Sequence, residues 1–224
     1  MLPNGLLPDE LAARAAHIPT TSTYSGDLKV DVALKGQVQL TRHQDLRDDG
    51  LDLRKPVCIW HTFDDHMTAW DAVVRRQWPD PIPTLALPPT ATDPTQGPEG
   101  QDTFWIWSGI VPAEPETPWE TLRHRIGEQV LADCGRYYDG LAELEITRSV
   151  RSTPDIEERF NAIDGAVYHC DSVLERMGPL RPAAGLSGYE TPVPGCSSVA
   201  PARIPAGGSP AALVGSPPYG CSRG

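Results

Sequence analysis

Leu28-Lys29-Val30-Asp31-Val32-Ala33-Leu34 alternates without a break. Leu28, Val30, Val32 and Leu34 fall on one side of an extended chain, and Lys29, Asp31 and Ala33 on the other. Period two means one buried face and one wet face, so the stretch is a strand. Lys35-Gly36 supplies a turn after it.

Upstream, Pro8 to Ala16 reads as a short helix, with Asp9 and Glu10 in the first turn where acid suits the dipole. Downstream, Arg42 to Arg54 is charged and reads as a surface loop. Pro56 to Thr62 is apolar on both faces and is expected as a second strand interior to a sheet. Asp64 to Trp78 reads as a helix, with Met67, Trp70, Val73, Val74 and Trp78 near helical spacing and Pro79 ending it. Thr84 to Leu87 is a short strand, and Pro88 to Gly100 is loop. Thr103 to Val111, aromatic and branched throughout, is a strand. Thr117, Pro118 and Glu120 have the pattern of a capping box at a helix start. Trp119, Leu122, Ile126, Val130, Cys134 and Tyr137 then form one stripe. Leu144 to Val150 is a further strand, Thr153 to Phe160 a helix, and Gly165 to Tyr168 a last strand. This order lacks regular βαβ alternation and joins strands by loops. It predicts an α+β fold, a mostly antiparallel sheet with packed helices, rather than a parallel nucleotide-binding sheet.

A formal net charge of -11 over 224 residues repels phosphate backbones and excludes a nucleic-acid partner. No apolar run approaches the about 20 residues that span a bilayer. Met1 to Pro8 has no basic n-region, so a cytoplasmic location is expected. The five cysteines, Cys58, Cys134, Cys170, Cys196 and Cys221, show no C-x-x-C spacing and read as free thiols, with Cys58 and Cys134 in the core.

Three groups of residues are candidates for chemistry. His61, Asp65 and His66 lie in the one dense His/Asp cluster. They could begin a metal-dependent hydrolase site, but a zinc site needs further ligands, and Asp64 or Asp65 is explained as a helix cap. Trp105 and Trp107, two apart on one strand, project from the same face. That face is either core packing or an apolar wall for a flat or lipid-like substrate, which Trp60 could extend. His169 follows the last strand and, alone, reads as a structural or surface donor. No Gly-x-Gly-x-x-Gly fingerprint follows a strand, and there is no P-loop and no Gly-x-Ser-x-Gly elbow.

The blocks Asp155-Ile156-Glu157-Glu158-Arg159-Phe160, Gly165-Ala166-Val167-Tyr168-His169, Gly178-Pro179-Leu180-Arg181-Pro182 and Gly188-Tyr189-Glu190-Thr191-Pro192-Val193-Pro194-Gly195 resemble the C-terminal region of phytoene-dehydrogenase-like NAD(P)/FAD-dependent oxidoreductases. The pyridine nucleotide-disulfide oxidoreductase domain-containing branch is included in this likeness, which covers about residues 1 to 195. It implies a fragment of a Rossmann-type two-domain enzyme: residues 1–150 from the substrate domain, 151–195 returning toward the FAD-binding domain. It implies FAD as cofactor, with Gly165, His169 and Gly195 near the flavin. It also implies an apolar small-molecule substrate that loses a hydride to FAD, with Trp105 and Trp107 on its wall. The N-terminal FAD fingerprint of the family is not in this sequence. Of the glycine-rich turn that follows the returning strand in the family, only the first glycine, Gly195, is matched. Read one base earlier with GC-rich codons, the stretch from Gly195 to Pro210 yields that turn, so a single-base frameshift near Gly195 is expected. Residues 196–224, rich in Gly, Pro, Ala and Ser and without any acid, are then an aberrant tail expected to be disordered. A non-enzymatic acidic binding module is the alternative.

Overall fold

β1 (Ser25–Leu34) forms as its alternation requires. In the computed structural model Leu28, Val30, Val32 and Leu34 are buried, while Lys29, Asp31 and Ala33 stay half-exposed. The structure describes residues 9, 10, 13, 25–58, 61–160 and 162–167. Of the two compact units into which the chain divides, Tyr24–Val167 holds the sheet, so residues 151–167 belong with it. His169, Gly195 and the tail 196–224 lie outside the described residues, as does Trp60. Asp9, Glu10 and Ala13, from the first expected helix, are helical.

The sheet has four antiparallel strands in the order β2-β3-β1-β4, with β2 (Leu85–Leu87), β3 (Thr103–Pro112) and β4 (Glu145–Arg151). Val30 lies opposite Ile106 on one side and Val150 on the other. The helices of this unit are α1 (Thr41–Gln44), α2 (Phe63–Val74), α3 (Trp119–Cys134), α4 (Leu141–Leu144) and α5 (Thr153–Phe160). The fold is therefore α+β. No helix among the described residues is long and apolar enough to cross a membrane.

One face of the sheet is the core. Phe104 and Ile106 of β3 join Leu28, Val30, Val32 and Leu34 there, and α3 covers them with Trp119, Leu122, Ile126, Val130 and Cys134. The helix comes so close to β4 that a Cβ on Gly127 would stand 2.7 Å from Val150 Cγ2. Cys134 is buried and Cys58 half-buried against the core, both as free thiols. Burial pushes the Cys134 thiol well above its ordinary range. The helical stripe stops at Cys134, so Tyr138 rather than Tyr137 fills the last core position. Its ring meets Phe104 edge-on at 4.7 Å, and its hydroxyl donates to the Ala86 carbonyl at 3.2 Å. Emptying a position such as Phe104 costs about 3–5 kcal/mol in cores of this kind.

Four local expectations are corrected. Pro56 to Thr62 is not a strand among the described residues. It is reduced to one bridge, in which the backbones of Cys58 and Ala86 exchange hydrogen bonds of 2.9 and 3.2 Å. Thr62 is drawn instead into the N-cap of α2, where it and Asp65 close a capping box. The box expected at Thr117 does not form, because the helix begins one residue later and Pro118 takes the cap position with no side-chain bond. α2 ends at Val74 instead of Trp78, and Arg76 adopts a positive φ of 60° just beyond it. Gly165 to Val167 are turn instead of strand, since Asp164 and Gly165 have φ of 54° and 62°.

Asp102 joins four segments. Its fully buried carboxylate accepts from the Val38 N–H at 2.9 Å, the Thr90 hydroxyl at 2.6 Å and Arg54 Nη2, which is 2.9 Å from each oxygen. Its backbone bonds to Leu34 and Gly36. The end of β1, the start of β3, the 50s loop and the Pro89–Ala91 turn thus meet at one side chain. Asp102→Ala leaves the Arg54 charge buried without its partner and is expected to destabilise the fold by about 3–5 kcal/mol. Urea unfolding measures this, and an unmoved midpoint contradicts it.

Candidate functional site

The face of the sheet opposite α3 is a grid set by register. Across one row lie Leu85, Trp107, Lys29 and Arg151; across the next, Leu87, Trp105, Asp31 and Ser149; across a third, Thr103, Ala33 and Thr147. Trp105 and Trp107 do share a face, and it is not the core face. Both are half-buried, whereas their neighbours Phe104 and Ile106 point into the core. The β2–β3 half of the grid is aromatic and aliphatic. The β1–β4 half is polar and charged.

Asp31 sits between two cations. It takes the Lys29 ammonium on one oxygen and Arg151 Nη1 on the other at 2.9 Å. Lys29 Nζ also lies 5.0 Å from the centroid of Trp105, a cation–π distance that joins the charged half to the aromatic half. Burial pulls the Lys29 amine below its ordinary range, with Asp31 opposing. Over the second and third rows a groove of about 480 Å³ opens, with Asp31, Thr103, Trp105, Thr147 and Ser149 in its lining.

At the other end of the grid, Asp27 is buried at 4% exposure beside a bulge in β1. Its carboxylate accepts from the Val167 N–H at 2.9 Å, and the nearby Trp107 indole helps to hold its pKa down. Gly109 leaves the space for that indole, because a Cβ there would stand 3.2 Å from it. Trp107 thus lies beside the carboxylate that holds the end of the 163–167 turn.

Gly165 is buried in this junction. A Cβ on it would stand 2.6 Å from the Thr153 carbonyl oxygen, and its N–H donates to the Ala162 carbonyl at 2.8 Å. Its positive φ and close contact explain the glycine by packing. Of the three residues implied to lie near a flavin, only Gly165 is described, and its N–H is already used. His61, Asp65 and His66 are not assembled as a site either. The Asp65 carboxylate accepts from the Thr62 N–H at 2.8 Å as a cap, His66 Nδ1 lies 2.9 Å from the Thr62 carbonyl, and Thr84 N–H donates to His61 Nδ1 at 3.4 Å. Among the described residues no three His, Cys, Asp or Glu are placed to share a metal ion.

Sequence reasoning missed Asp27 and Arg151. The alternation of β1 marked Lys29 and Asp31 as outward, but nothing local showed that Arg151, 120 residues away, would share Asp31. The chain matches no family model.

Burial holds the Asp27 carboxyl above its ordinary range, with Val167 and Trp107 only partly offsetting. A carboxyl raised in this way favours the folded state most below its unfolded value of about 3.9, and that contribution falls as pH rises through the folded value. Asp27→Asn has no charge to bury, so its stability relative to the parent protein is expected to improve between about pH 4 and pH 7. Paired urea melts at the two pH values check the sign. A variant-minus-parent stability that stays constant or falls from the lower to the higher pH contradicts it.

Proposed function

We propose that this chain is the substrate-side portion of a flavin-dependent oxidoreductase of the phytoene-dehydrogenase-like kind, and that the sheet face carrying Trp105 and Trp107 is the wall against which an apolar substrate lies. The observation that carries the reading is the placement of both indoles, with Leu85 and Leu87, on the face that α3 does not cover. In an enzyme of that kind the bound flavin accepts a hydride from the substrate. The residues of this chain would bind and orient: the indoles exclude water from one side of a flat ligand, and Gly109 leaves room for the Trp107 ring. The Rossmann-type partner half, the FAD requirement and the roles of His169 and Gly195 rest on the sequence resemblance. A non-enzymatic module that binds an apolar ligand would use the same wall.

The strength of the wall can be bounded. Tryptophan side chains bury about 150–250 Å² each, and the two here, each already mostly covered, leave at most about 110–180 Å² for a ligand. At about 25 cal/mol/Å² that is at most roughly 3–4.5 kcal/mol. Association costs at least about 4 kcal/mol. The wall alone therefore gives weak binding, and a substrate held firmly needs a second set of contacts.

Titration of the full chain with retinol, an uncharged polyene, tests the wall. Saturable quenching of tryptophan fluorescence is expected, most of it lost in the double variant Trp105→Ala, Trp107→Ala. Quenching that survives in that variant rejects the wall. The flavin half of the reading is tested in the adjoining DNA, where a frame encoding a Gly-x-Gly-x-x-Gly strand–turn–helix is expected. Its absence in every phase leaves the binding module.

A further inference from the structure

We propose that Lys29 and Arg151 receive the head group of a carboxylate-bearing amphiphile whose apolar tail lies on Trp105 and Trp107. The proposal rests on the reading of the tryptophan face as a ligand wall and adds the class of ligand.

The argument is one of charge and position. Lys29 and Arg151 face each other across β1 and β4, and among the described residues Asp31 is the one acid that pairs with them. Two cations share one carboxylate, which leaves one positive charge on the polar half of the grid. Arg151 gives Asp31 only Nη1, so its Nη2 and Nε donors remain for a second acceptor. A guanidinium presents such donors as a fork that matches a carboxylate. A single negative charge balances the cluster, whereas a phosphate dianion would be left facing Asp31 in a chain that already carries a net -11.

Position makes the head and tail sites continuous. Trp107, Lys29 and Arg151 are neighbours in one row. Adjacent strands lie about 4.8 Å apart, so the row spans about 10 Å from β3 to β4, the length of a carboxylate and its first several methylenes. The ammonium 5.0 Å from the Trp105 centroid bridges the two halves. Ser149, beside Asp31 in the next row, adds a hydroxyl near the head. A charge-assisted hydrogen bond also supplies the second contribution that the wall lacks.

Brominated C18 amphiphiles quench tryptophan on contact and separate head from tail. The full chain is titrated with dibromostearic acid, dibromostearyl alcohol and the corresponding alkyl phosphate at neutral pH. The acid is expected to bind about tenfold tighter than the alcohol, as one charge-assisted contact allows. Arg151→Met and Lys29→Met are each expected to bring the acid to the level of the alcohol and leave the alcohol unchanged, with Arg151→Lys restoring part of the difference. Equal binding of acid and alcohol, both quenching, overturns the head-group assignment and leaves the wall standing. Tighter binding of the phosphate overturns the choice of a carboxylate. No quenching by either, or quenching indifferent to Trp105→Ala, rejects the wall and this proposal with it. The comparison of acid with alcohol uses the unmodified chain, so it holds even if a variant fails to fold.

Discussion

β1 is hydrogen-bonded on both edges, to β3 and to β4, so none of its residues can change face without moving the whole sheet. A slip of one residue would carry Lys29 and Asp31 into the core and put Leu28, Val30, Val32 and Leu34 outside. Each buried aliphatic side chain is worth about 1.5–3 kcal/mol, and an unpaired buried charge costs several more, so the register is strongly held. Everything on the far side of the sheet inherits that constraint. Once the aliphatic row faces α3, the tryptophans opposite Asp31 and Lys29 must face the other way, beside the charges.

Two buried aspartates then serve this sheet in different ways. Asp102 meets a guanidinium, a hydroxyl and a backbone N–H, and it closes the edge where β1 ends and β3 begins. Asp27 meets a neutral donor, the Val167 N–H, at the opposite end of β1. The first is a full ion pair and holds the scaffold. The second carries a desolvation cost and ties the 163–167 turn to β1 beside Trp107. Gly165, packed against Thr153, lets the turn come close enough for that contact.

Much of the scaffold was legible in the sequence because its signals are periodic. The alternation from Leu28 to Leu34, the stripe from Trp119 to Cys134 and the helix from Thr153 to Phe160 all stand as read. The misreadings lie where local rules compete. Pro56 to Thr62 had strand composition, but Thr62 was worth more as a cap with Asp65. Thr117 had capping chemistry, but the helix started past it. The face of Trp105 and Trp107 could not be read, because Phe104 and Ile106, which alternate with them, are also apolar and only cross-strand pairing decides which pair goes inside. The cluster of Lys29, Asp31 and Arg151 depended on register between distant strands, which no spacing along the chain records.

The most direct measurement of the central claim is a two-dimensional NMR spectrum of the indole N–H groups during addition of an apolar ligand. Trp119 lies in the core and donates to the Ala113 carbonyl at 3.2 Å, so it serves as an internal reference. If the sheet face opposite α3 is the binding wall, the signals of Trp105 and Trp107 shift in a saturable way while that of Trp119 stays in place. Shifts at Trp119 with Trp105 and Trp107 unmoved would show that the ligand binds elsewhere.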